Sequence, residues 1–150
     1  MSDGYTKREI EDALLQALVP LSVRGGGYVH TLRPYRGELT LAGLAQDRLH
    51  LPAIFAAWAS STYKPGPCLY VLETMGFNVI TIERGAGGPD DFKSLADVRA
   101  ALCGATLGLD IRPLQLVRET ALAADRETAA FASLFTLTQT VRLAAQSQNT

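Results

Sequence analysis

Two adjacent carboxylates, Asp90 and Asp91, are the residues best placed to do chemistry, because they end the glycine-rich segment 84–89. A pair of carboxylates can hold a hard metal ion, or act as an acid and a base. A metal site needs further oxygen ligands, and no third acidic cluster accompanies this pair. Adjacent aspartates at the end of a loop are more often solvated turn residues or charges that favour a helix start. The sequence therefore predicts neither a metal site nor a catalytic dyad.

The two histidines and two cysteines are also isolated. His30, His50, Cys68 and Cys103 lack partners at the spacing of a zinc site, and two cysteines do not make a disulfide framework. We expect solvated histidines and buried free thiols.

The segment Arg24–Gly27 contains three consecutive glycines, which raises the question of a phosphate-binding loop. A Walker loop has a Lys-Ser/Thr pair after its last glycine, and a dinucleotide loop has GxGxxG leading into a helix. Neither pattern is present, so the segment is predicted to be a flexible turn. No cofactor is expected.

The composition limits the partners of the chain. Fourteen Lys and Arg against fifteen Asp and Glu give a formal charge of −1, which provides no field for binding nucleic acid or an anionic membrane. Charged residues make up 19%, against about 25% in typical soluble domains, and hydrophobic residues 47%. This composition suits a chain that buries surface against copies of itself. With no signal-peptide pattern and no 18-residue apolar run, we expect a cytosolic protein with no membrane partner.

Two amphipathic helices are predicted. Thr6 and Glu9 fit a capping box, and an apolar stripe follows at Ile10, Leu14 and Leu18, with the helix ending before Pro20. In the second helix, 94–104, Ser94 and Asp97 fit another capping box, and Leu95, Val98 and Leu102 form the stripe.

The longest β pattern lies at 114–143. Apolar residues of one parity alternate with threonines and Arg142 of the other parity in its second half, and the polar segment 123–127 separates the two halves. This pattern predicts a β-hairpin with one apolar face, which a helix must cover. Further strands are predicted at 28–33, 53–58 and 69–84, with a bulge or bend at Gly76, and a short helix at 38–47.

The predicted order is helix, strand, short helix, strand, long strand, helix, hairpin. It indicates an α+β fold, an antiparallel β-sheet with helices packed on one face. We expect one domain over 1–150, with a polar C-terminal tail at 144–150.

Several segments together resemble a known family, the tail terminator, or tail completion, proteins of Mu-like contractile-tailed bacteriophages. The resemblance spans nearly the whole chain and is carried by 10–14, 51–55, 95–104, 111–114 and 135–137. It implies a non-enzymatic virion protein with a tail-terminator-like fold. Such a protein forms a ring, expected to be a hexamer, on the head-proximal end of the tail tube, where it ends tube growth and offers a surface to the neck.

The resemblance also implies partners and a location. The partners are other copies of the chain, tail tube and sheath proteins, and a neck or head-completion protein, with no specific nucleic acid. The location is the tail and neck of the virion, after assembly in the cytoplasm of the host bacterium.

Two other interpretations remain open at this point. One is a different tail, neck or tail-like injection-device component of related fold. The other is a small enzyme that uses Asp90 and Asp91 or a histidine.

Charged residues in the loop at 84–91 and in the hairpin are the candidates for contacts between copies, since such groups fix register more than affinity. They are Arg84, Asp90, Asp91, Arg118, Glu119 and Arg126.

Overall fold

The structure is a computed structural model that describes residues 4–35, 50–84, 91–124 and 128–142. Its helices are α1 (Lys7–Leu18) and α2 (Lys93–Leu102), with two short 3-10 turns after α1 at Val19–Leu21 and Val23–Gly25. Its strands are β1 (Thr31–Pro34), β2 (Ala53–Pro65), β3 (Tyr70–Arg84), β4 (Gln115–Ala124) and β5 (Thr128–Arg142). They form one sheet in the order β1-β2-β3-β5-β4. The predicted α+β class is confirmed.

The sheet is mixed, whereas the sequence predicted an antiparallel one. β2, β3, β5 and β4 pair antiparallel, but β1 pairs parallel to β2, with Thr31 opposite Ala53. A parallel pair requires a crossover connection of a dozen or more residues. The segment between β1 and β2 is long enough to provide one. The short helix predicted at 38–47 falls in this segment, outside the described residues, as does the predicted tail at 144–150.

Both helices pack on the same face of the sheet, as predicted. The stripe of α1 (Ile10, Leu14, Leu18) is fully buried, as are Val98 and Leu102 of the α2 stripe, in a core that also contains Met75, Phe77, Phe135 and Leu137 of the sheet. Leu95, the third residue of the predicted α2 stripe, is half-buried. The predicted capping box at the start of α1 is confirmed. The Glu9 amide donates to the Thr6 hydroxyl at 3.1 Å, and the Thr6 amide donates to the Glu9 carboxylate at 2.9 Å.

The predicted capping box of α2 is wrong. The N-cap residue is Phe92, with a left-handed backbone (φ 64°), and its side chain makes no capping bond. Its amide instead donates to the carboxylate of Glu83 on β3, at 2.6 Å, and the buried Ser94 hydroxyl donates to the other oxygen of that carboxylate. Glu83 therefore caps α2 in place of the predicted local pair. Asp97 instead accepts a hydrogen bond from the Tyr28 hydroxyl at 2.6 Å.

A second apolar cluster lies on the opposite face of the sheet. It joins Ala53, Phe55, Ile80, Ile82, Ala130 and Ala132, with Tyr35 and Leu51 packed against them. Residues 79–83 of β3 are therefore buried on both faces. This double burial explains why apolar residues in this part of β3 do not strictly alternate with polar ones.

The predicted C-terminal hairpin is confirmed, since β4 and β5 pair antiparallel from Gln115–Thr136 to Ala124–Ala129. The irregularity expected at Gly76 lies in the neighbouring strand, where the register of β2 shifts between Trp58 and Ser60. Gly76 is opposite Ser60 at this shift, and a Cβ on Gly76 would lie 3.4 Å from both Leu134 Cδ1 and Ser60 Oγ. Among the described residues, no helix is long and apolar enough to span a membrane.

Candidate assembly surface

The residues that could do chemistry do not come together in the described part of the chain. His30 and His50 are exposed, and Asp91 lies immediately before the N-cap of α2. Asp90 lies outside the described residues. Within 4–35, 50–84, 91–124 and 128–142, no three His, Cys, Asp or Glu side chains are grouped so that they could hold a metal ion.

The two cysteines are exposed, whereas the sequence predicted buried thiols. Cys68 lies in the turn between β2 and β3 with a left-handed backbone (φ 56°), and Cys103 is the C-cap residue of α2. Both therefore lie at the ends of elements, where a side chain points away from the core. Because both thiols are exposed to reagents, both cysteines must be replaced before any experiment that uses thiol chemistry.

Glu73 of β3 is a buried carboxylate at the centre of a polar network beside the start of α1. It accepts from the Tyr63 hydroxyl at 3.0 Å and from Gln139 Nε2 at 3.0 Å, and Lys7 Nζ lies 3.8 Å away. Gln139 also exchanges two hydrogen bonds with the backbone of Tyr5, at 2.7 and 2.9 Å. The network fixes the segment before α1 onto the sheet.

The same network affects the titration of Tyr63. The hydrogen bond to Glu73, with smaller contributions from desolvation and from the charge of that carboxylate, raises the pKa of the Tyr63 phenol above its ordinary value. These hydrogen bonds hold the groups in place beside the start of α1.

β4 is the outer strand on one side of the sheet, and it is exposed along most of its length. Apart from Leu116, every residue of β4 is exposed. Val117 and Leu122 expose 52% and 46% of their surface, although each is a large apolar residue. Both occur where the register with β5 shifts, between Leu116 and Arg118 and between Ala121 and Ala123. The outer strand thus presents apolar side chains at two bulges.

A second exposed strand segment lies on the other side of the sheet. In the part of the chain that the structure describes, β1 pairs with Ala53–Ala56, and β2 continues for nine residues beyond that pairing. Seven of those nine residues are exposed, including Trp58 (43%) and Tyr63 (56%). Lys7 Nζ lies 5.0 Å from the centre of the Trp58 ring, and the Trp58 indole donates to Ser61 at 3.1 Å. Tryptophan and tyrosine are residue types enriched at the centres of protein interfaces.

The structure brings only some of the predicted interface charges onto these surfaces. Arg118 and Glu119 lie on β4, and Glu119 accepts from Arg99 of α2 at 3.3 Å. Arg84 ends β3 opposite the first residue of β5, so it lies at the hairpin end of the sheet. Asp91 precedes α2, and Asp90 and Arg126 lie outside the described residues.

Sequence reasoning missed the exposed apolar residues Trp58, Tyr63, Val117 and Leu122, because their residue types indicate burial. One signal was available for β4. Leu116 and Val117 are adjacent apolar residues, and Leu122 has the same parity as Leu116 but not as Val117. Such a strand cannot place all three on one face without a change of register.

No family model and no curated protein matches the sequence. The structure is similar to a chain from a solved structure described as the virion of a native gene transfer agent particle. The TM-score is 0.57, the similarity covers 90% of this chain and 98% of that chain, and 17% of the residues are identical. The likeness is one of fold, and it extends over nearly the full length of both chains.

Proposed function

We propose that this protein is a structural subunit of a phage-like particle, and that identical copies assemble into a ring at the head-proximal end of a tail tube. The observation that carries the proposal is the pair of exposed, partly apolar strands on opposite sides of one sheet, β4 and the second half of β2. A closed ring of identical subunits requires two different complementary patches on each subunit. The near-neutral charge of the chain favours association between copies.

The particle context rests on two supports. One is the fold likeness to a chain of a gene transfer agent virion, and the other is the resemblance of several segments to tail terminator proteins. In this role the ring ends growth of the tube and gives the neck a surface to join. The partners are tail tube and sheath proteins and a neck protein.

The experiment is a preparation of particles that lack this protein, examined by electron microscopy. We expect tubes of irregular length without a neck. Tails of normal length that join heads normally would overturn the terminator role. The native mass of the purified chain tests the ring separately, because a small monomeric enzyme has no reason to form a closed oligomer.

A second candidate is another tail or neck component of related fold, which the same fold likeness favours. Gold labelling of a tagged chain on intact particles separates the two. Label at the head-proximal end of the tube supports the terminator role, and label along the tube supports a tube subunit.

A further inference from the structure

We infer that copies of this chain join through their strands, with β4 of one copy adding to the exposed second half of β2 of the next. This inference rests on the proposed ring, and it names the contact that builds it. Within the described residues, β4 has a strand on one side only, and no strand pairs with the outer side of β2 beyond Ala56. Each segment therefore presents backbone groups that a further strand can satisfy.

The exposed apolar side chains coincide with these two segments. Four of the seven large exposed apolar residues of the described chain are Trp58, Tyr63, Val117 and Leu122, and all four lie on β4 or on the second half of β2. A row of backbone hydrogen bonds supplies affinity in strand addition, and side chains on either side supply specificity. The apolar residues flank the unpaired backbone, as such a contact requires.

The strand directions are compatible with a ring. β2, β3, β5 and β4 alternate in direction, so β2 and β4 of one subunit run in opposite senses. Rotation about an axis along the strands does not change the sense of a strand. β4 of one copy therefore meets β2 of the next copy antiparallel, which continues the alternation found inside the subunit.

The bulges of β4 limit the contact to a short length. Between the two register shifts, only residues 118–121 of β4 run regularly beside β5. A short regular segment between two bulges can pair in few registers. The exposed part of β2 has nine residues, which is long enough to pair with this segment.

The test uses chains in which Cys68 and Cys103 are replaced by serine. One batch carries Thr62→Cys and the other carries Thr120→Cys, because both threonines are exposed on the two segments. The two batches are mixed at a protein concentration at which the ring forms. The mixture is then treated with a short thiol-reactive cross-linker. We expect cross-links between the two batches and none within either batch. Arg24→Cys, exposed but away from both segments, is the control and should not link to Thr120→Cys.

A second measurement tests the apolar residues. Val117→Asp with Leu122→Asp should reduce the native mass to that of a monomer that is still folded, as circular dichroism would show. Val23→Asp with Leu69→Asp is the matched control, because these two residues are similarly exposed but lie off both segments. The control should keep the ring.

The outcomes separate this inference from the proposed function. A ring that forms without links between Thr62→Cys and Thr120→Cys, or that survives the β4 substitutions, overturns the strand contact and leaves the ring. Links only between copies of Thr120→Cys indicate a two-fold dimer and also overturn it. A wild-type chain that is monomeric at every concentration overturns the ring itself.

Discussion

Tyr63 is a residue whose surroundings lead to a direct prediction. Its hydroxyl donates to the buried Glu73 carboxylate, and this bond raises its pKa above the value of about 10 usual for tyrosine. Subtracting the ultraviolet pH titration of Tyr63→Phe from that of the wild type isolates the Tyr63 phenol. We expect this phenol to have a pKa above that value. Glu73→Gln should bring this ionisation back toward the ordinary value. An unchanged titration in Glu73→Gln would show that Glu73 is not the cause.

The raised pKa also fixes the sign of a pH effect on folding. The folded state holds the Tyr63 proton more tightly than the unfolded state does. The contribution of this hydrogen bond to the free energy of unfolding is therefore complete below the pKa of Tyr63 in the unfolded state. It is lost as the pH rises through the pKa of Tyr63 in the folded state. Tyr63 is more than half exposed, so the effect on the unfolding temperature at alkaline pH is expected to be small.

Glu83 leads to a second residue-scale prediction. Its buried carboxylate accepts from the Phe92 amide and the Ser94 hydroxyl, so Glu83→Ala leaves two donors at the start of α2 without a partner. Ser94 is buried, and loss of the partner of a buried donor costs about 1–3 kcal/mol, which a denaturant titration would detect. Glu119→Ala is the control, since its exposed ion pair with Arg99 is worth at most about 1 kcal/mol. Equal losses of unfolding free energy in the two variants would mean that Glu83 does not stabilise the start of α2.

These residues show which caps a sequence can reveal. The Thr6–Glu9 box is visible because both partners lie within one turn of helix. The cap of α2 is supplied by Glu83, nine residues before Phe92 and on another element. Ser94 and Asp97 have the residue types of a capping box, but tertiary contacts to Glu83 and Tyr28 take up both side chains.

At the scale of the element, α2 provides a test of the helix face. Leu102 is fully buried against the sheet, so Leu102→Ala removes apolar contacts and leaves a cavity, at a cost of about 2–5 kcal/mol in the free energy of unfolding. Arg99 is on the exposed face and pairs with Glu119 at 3.3 Å, so Arg99→Ala should cost at most about 1 kcal/mol. Chemical denaturation of both variants measures the difference. Similar losses would mean that the buried face of α2 has been misassigned.

Most elements could be predicted because their patterns are local and periodic. The period-2 pattern from Ser133 to Gln139 of β5 alternates in burial as predicted. The predicted stripe of α1 is buried, and so are two of the three stripe residues of α2, Val98 and Leu102. The direction of β1 could not be predicted in this way. A strand of four residues is too short for its pattern to indicate which strand it pairs with, or in which direction. The length of the segment before β2 permitted a parallel pair without requiring one.

At the scale of the whole molecule, Arg118 tests whether charge on β4 acts in assembly. It is exposed, and its backbone pairs opposite Leu134. We expect Arg118→Glu to slow association at low salt, and the difference from the wild type to shrink at high salt, because charges at an interface act mainly on encounter and register and are screened by salt. Native mass against time at two salt concentrations measures this. Arg24→Glu is the control, and an equal effect there would indicate a response to net charge alone.

Which strands carry exposed side chains could be predicted from the sequence only in part. The predicted charges Arg118 and Glu119 do lie on an exposed strand. The apolar residues beside them could not be assigned to the surface, since valine and leucine in a strand usually indicate a core. Their exposure depends on the position of β4 at the end of the strand order, which is a property of the whole sheet.

The unequal burial of β3 and β4 has a consequence for hydrogen exchange. Residues 79–82 of β3 are buried on both faces and paired on both sides, so their amides should exchange with solvent only when the whole domain unfolds. Among the described strands, β4 pairs with β5 on one side only, so its outward amides should exchange within the intact subunit. Deuterium uptake by β4 therefore records whether a neighbour is present, while uptake by β3 reports the stability of the subunit, and one time course separates the two.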